Sequence, residues 1–159
     1  MDLRESATVV ATVMAIYGAA LSTYNLLSAR RDRARTVKVS LKWGIAAPRL
    51  EPETVFISEA ANPRGRPVTL TGCGILLPNR KAFVIPQPMG SATFPHELAE
   101  GKNCTVLFPL GDVVRGLQQE GFTRRVELHA TFSDALGKEY RSKSSKGDVA
   151  EWAKAARPS

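Results

Sequence analysis

The stretch Arg124 to Phe132, RRVELHATF, decides how the chain is read. Val126, Leu128, Ala130 and Phe132 alternate with Arg125, Glu127, His129 and Thr131. A period of two puts the first set on one face and the second on the other, which predicts a half-buried β-strand. The residues after it, Asp134-Ala135-Leu136-Gly137, have the composition of a hairpin turn. They lead into a second strand over Lys138 to Lys143, where Tyr140 points opposite to Glu139 and Arg141.

The same pattern recurs upstream. Val37, Val39, Leu41, Trp43 and Ile45 alternate with Lys38, Ser40, Lys42 and Gly44. Strands are expected over Thr54 to Ala61, Val68 to Leu77, Lys81 to Ile85 and Asn103 to Phe108. Between them lie turns rich in proline, glycine and asparagine, at Pro48 to Pro52, Asn62 to Pro67 and Pro78 to Arg80. Gly72 and Gly74 inside one strand mark a bulge or a close backbone approach. The stretch Pro86 to Lys102 holds three prolines and two glycines and is the longest irregular segment, a candidate binding loop. Asp112 is placed to cap a short helix running to about Glu120, with Val113, Val114 and Leu117 inward. Asp148 with Glu151 three residues on forms a capping box for a last helix, whose Val149, Trp152, Ala153 and Ala156 share an apolar face. About seven short strands with closely spaced turns indicate a mainly β fold, a β-sandwich.

Two layout motifs carry a resemblance: Ala61-Asn-Pro-Arg-Gly-Arg-Pro-Val-Thr-Leu70, and the closing hairpin Asp134-Ala-Leu-Gly-Lys-Glu-Tyr140. Together with the alternating strands, the chain resembles bacterial immunoglobulin-like sandwiches, above all single-pass membrane proteins with one preceding helix. The resemblance implies an immunoglobulin-like β-sandwich and brings no catalytic residue with it. The chain departs from antibody-type domains, because Trp43 precedes Cys73 and Cys104 rather than lying between them.

Ahead of this domain runs an uncharged stretch, Ala7 to Ala29, ATVVATVMAIYGAALSTYNLLSA. As a helix of about 23 residues it reaches roughly 34 Å, the thickness of a hydrocarbon core. A basic collar follows: Arg30, Arg31, Arg33 and Arg35, opposed only by Asp32. Charges after the apolar stretch rather than before it argue for a retained anchor, and the positive-inside rule then places the domain in the cytoplasm with both thiols reduced. The collar arginines are the residues expected to meet lipid headgroups. Ala7, Ala11, Ala15 and Ala19 repeat every fourth residue, and Gly18 and Ser22 widen that small-residue ridge into a candidate helix-association face. Val10, Val13, Tyr17, Leu21 and Tyr24 line another face. That row keeps open the alternative of a soluble structural subunit whose helix docks on its own copies or on a partner. The division expected is thus 1–35 for helix and collar, 36–146 for the sandwich and 147–159 for the last helix.

Composition bounds the function. The 159 residues carry a formal net charge of +7 spread over the whole chain. No basic stripe is interleaved with aromatics, so nucleic acid is not the expected partner. Two cysteines make no disulfide framework, though a bridge is conceivable, and core packing suits both. The two histidines, His96 and His129, stand on different elements with no second ligand at metal spacing, so neither a metal nor a cofactor is expected. His129 fits a solvated sheet face, while His96 beside Glu97 is the only local acid–base pair. The expectation is a non-enzymatic, membrane-anchored interaction module, with an edge strand or the Pro86 to Lys102 segment offered to a protein partner.

Overall fold

The computed structural model describes residues 3–33, 36–46, 53–84, 89–91 and 93–156, with the side chains of the first helix described from Ala11 to Ala29. The contacts divide the chain into two units, Met1–Ala34 and Arg35–Ser159.

The first unit is one helix, α1 (Leu3–Arg33). Its uncharged interior has no proline, and Thr23 bonds its hydroxyl back to the carbonyl of Ala19 at 2.9 Å, which masks part of its polarity. The expected membrane anchor does not stand. Among the described residues no helix is long and apolar enough to cross a membrane. The physical reason is dilution: Thr12, Ser22, Thr23, Asn25 and Ser28 interrupt the apolar residues between Ala11 and Ala29. The single-pass cell-membrane placement and the cytoplasmic orientation deduced from the collar fall with it.

The second unit is mainly β, as expected, and is built of two antiparallel sheets around one core. The strands are β1 (Lys38–Ala46), β2 (Glu53–Ala61), β3 (Val68–Leu76), β4 (Ala82–Phe83), β5 (Met89–Gly90), β6 (His96–Leu98), β7 (Asn103–Pro109), β8 (Arg125–Asp134), β9 (Glu139–Arg141) and β10 (Ser145–Asp148). Two helices join them, α2 (Leu110–Gln119) and α3 (Val149–Ala155). One sheet has the order β1-β2-β7-β5; the other runs β10-β8-β3-β4, with β6 also on β3 and β9 also on β8. The layout is that of an immunoglobulin-like sandwich.

Alternation explains the layers. On β8, Val126, Leu128, Ala130 and Phe132 are buried, while Arg125 and Glu127 are exposed. Phe56 and Ala60 of β2 and Val106 and Phe108 of β7 supply the facing side of the core. Burying such a Leu or Phe contributes about 1.5–3 kcal/mol each. Both glycine expectations on β3 hold. Its register against β8 shifts between Leu70 and Gly72, and a Cβ on Gly74 would lie 3.0 Å from the Phe83 carbonyl oxygen.

Three strands, β5, β6 and β10, come from segments with no alternation to announce them. The segment read as one irregular stretch instead crosses the sandwich: β5 pairs with β7 in one sheet and β6 with β3 in the other. Part of it, residues 86–88 and 92, lies outside the described residues, as do Ile85 at the end of the expected fourth strand and the proline turn at 48–52. The helix expected to be capped by Asp112 starts three residues earlier, because β7 runs straight into it through Pro109 with no side-chain cap. Asp112 occupies the first turn, where a carboxylate suits the helix dipole, and pairs with Arg115 at 3.4 Å. Asp148 does cap α3, accepting the Ala150 N–H at 2.8 Å. Trp152 docks that helix edge-on against Phe56, ring centroids 5.1 Å apart.

Candidate interaction surfaces

β1 is an outermost strand, paired through all nine residues to β2, from Lys38 opposite Ala61 to Ala46 opposite Glu53. Val39 and Leu41 rest partly buried on the core. The same apolar row then runs on into Trp43 and Ile45, which remain 58% and 76% exposed. In the sequence the five apolar residues read as one buried face; the opposing sheet covers only the first part of it.

Beside β1 lies a cleft of about 750 Å³ that reaches across to the chain following β9. Its apolar lining is Val37, Val39 and Leu41, and its cations are Lys38, Lys42, Arg141 and Lys143. Glu59 is its one carboxylate, and it accepts a bond from the Asn103 side-chain amide at 2.6 Å. Arg141 is engaged by Glu139 at 3.2 Å. The three lysines have no ion-pair partner among the described residues. Because successive strand residues alternate sides, the cleft joins an apolar row to a cationic margin along a strand with one open edge.

A second cleft, of about 470 Å³, lies on the outer face of the other sheet. Leu76, Leu77, Phe122 and Val126 give it an apolar lining, and Arg80, Arg125, Arg141 and His129 bring charge and donors. His129 is fixed by its Nδ1, 3.0 Å from the Ser142 carbonyl; a carbonyl only accepts, so Nδ1 carries the proton in that bond. Its position on the outer face of β8 is the one expected.

His96 and Glu97 are consecutive in β6, half-buried and exposed, so a strand directs them to opposite faces and they make no acid–base pair. Both thiols are free. Burial pushes the Cys73 thiol up to about 12, with a smaller push from Cys104 nearby, and burial likewise raises Cys104. Such thiols are packing groups, not nucleophiles. Among the described residues no group of three or more His, Cys, Asp or Glu could hold a metal ion.

Along α1, the proposed association residues Ala11, Ala15, Gly18, Ala19 and Ser22 are all exposed and share a face by their spacing. Ala7 and the collar residues Arg30, Arg31 and Arg33 lie on the helix with side chains outside the described residues, and Arg35 lies outside them altogether. The opposite face carries Val13, Tyr17, Ala20, Tyr24 and Leu27, spaced four, three, four and three apart. That is the interval of a coiled-coil seam. Its large side chains are about half or more exposed, Tyr17 at 67%.

Compared with known proteins, the sequence matches no family model and no curated protein sequence.

Proposed function

We propose that the chain is a non-enzymatic interaction module whose sandwich takes up an extended, acidic segment of a partner protein along the open edge of β1. The observation that carries this reading is the β1 cleft: an unpaired strand edge beside an apolar row and three lysines without ion-pair partners among the described residues. Strand addition supplies backbone hydrogen bonds, the row from Val39 to Ile45 receives alternate apolar side chains, and the lysines select acidic residues between them.

The test is fluorescence anisotropy of the full-length chain with a labelled (Glu-Val)4 peptide. Binding that weakens with added salt, and about tenfold in Lys38→Glu and Lys42→Glu, supports the reading. Equal binding of (Glu-Gly)4 removes the apolar row from it. Unchanged affinity in both variants, or no binding of the wild-type chain, overturns it.

A second reading rests on α1. A seam of large residues left exposed over several turns favours an assembly subunit, in which copies of the chain pack through this helix.

A further inference from the structure

We propose that the cleft on the outer face of β8 is a binding site for a phosphate monoester with an apolar body. The cleft carries an excess of positive charge. Of its three arginines, Arg141 is paired with Glu139, and the cleft's carboxylate, Glu127, is held by Lys146 at 2.7 Å. Arg80 and Arg125 make no side-chain hydrogen bond or ion pair among the described residues. Two uncompensated guanidiniums match the roughly two negative charges of a phosphate monoester near neutral pH, and their planar forks suit its oxygens.

Arg80 is held in an unusual backbone turn. Its φ is +64°, and it is the one non-glycine residue in the left-handed region among those described. A bulky side chain is strained there. The turn is nonetheless fastened on every side. The Arg80 N–H donates to the Leu77 carbonyl at 3.0 Å, and the Leu77 N–H to the Lys81 carbonyl at 2.8 Å. Asn79 and Lys81 both reach Glu120, at 2.8 and 2.7 Å. Glycine would satisfy this backbone without strain; arginine adds a cation at the mouth of the cleft.

The volume of about 470 Å³ falls in the range of small-molecule sites, and the apolar residues that line the cleft beside its cations call for a ligand with more than a bare anion to bury.

Isothermal titration of the full-length chain with 1-naphthyl phosphate, inorganic phosphate, 1-naphthoate and 1-naphthol tests this. The ester is expected to bind at least about tenfold more tightly than the other three. Arg125→Gln weakens it about tenfold. Arg80→Gly raises the melting temperature while weakening the ester, since it relieves strain and removes a cation together. Lys38→Glu, in the β1 cleft, leaves ester binding unchanged, so this site and the peptide edge stand or fall separately. Equal binding of 1-naphthol or 1-naphthoate, ester affinity retained in both arginine variants, or no binding at all overturns the proposal.

Discussion

Asn62 shows how much a single residue does that its composition class hides. Read as part of a Pro/Gly turn, it is in fact fully buried. Its amide donates to the carbonyls of Arg66 and Leu98, both at 3.1 Å, while its backbone bonds Lys102 and Gly101. It therefore ties the turn after β2 to the segment around β6. Nothing local in Ala61-Asn-Pro-Arg announces this, because the distant partners, at Leu98, Gly101 and Lys102, are backbone groups, which every residue type possesses. The cysteines were easier to read, since small sulfur side chains among alternating apolar residues belong in a core. Their burial has a pH consequence. Cys73 stays protonated in the fold up to about 12, whereas an unfolded thiol ionises near 8.5. The unfolded chain thus loses protons first, and this thiol's share of stability is intact below about pH 8.5 and declines as pH rises toward 12. Urea midpoints at pH 7 and pH 10 check it: the drop for wild type should exceed that for Cys73→Ala. Equal drops would show that the thiol's environment is not carried by its burial.

At the scale of elements, the long strands were legible by their own pattern, and the short β4 and β9 by the turns that precede them. β1, β2, β3, β7 and β8 each span at least seven residues, long enough for alternation or punctuation to show. β5 has two residues and β6 three, and both are defined by backbone pairing rather than by side-chain pattern. β10 was hidden for another reason. Its Ser-Lys-Gly-Asp has no apolar residue, because Gly147 serves as the seat of the Trp152 indole. A Cβ at Gly147 would run into that ring. Gly147→Ala is therefore expected to destabilise the fold by about 1–3 kcal/mol through overpacking. Denaturant unfolding followed by Trp fluorescence measures it, and a change under about 0.5 kcal/mol would mean that the helix shifts freely on the sheet. Asp112 has the composition of a cap, yet the helix, with Leu110 buried, begins three residues earlier.

For the whole molecule, the division into a leading helix and a β domain was plain in the charge pattern, whereas the role of the helix was not. Length and a one-sided basic collar favoured a bilayer; mean apolarity across the described residues does not. Length is set by the absence of charges, but membrane insertion is set by the sum of side-chain transfer energies, to which each Thr, Ser and Asn adds a cost. The assembly reading leads to a measurement. Light scattering of the full-length chain should report an oligomer that Tyr17→Glu with Leu27→Glu disperses, since both lie on the seam. If Ala11→Leu with Ala15→Leu disperses it instead, the small-residue ridge is the contact, and a wild-type monomer removes the assembly reading.

The crossing of β5 and β6 has one more consequence. Within ten residues the backbone joins the β5 edge of one sheet to the β6 edge of the other. On the far side, β1 and β9 sit against each other across the core with no strand shared between the sheets. The sandwich is built like a book, with a stitched spine along β5 and β6 and an unstitched fore-edge along β1 and β9. At the fore-edge, where the β1 cleft lies, side-chain packing alone joins the two pages.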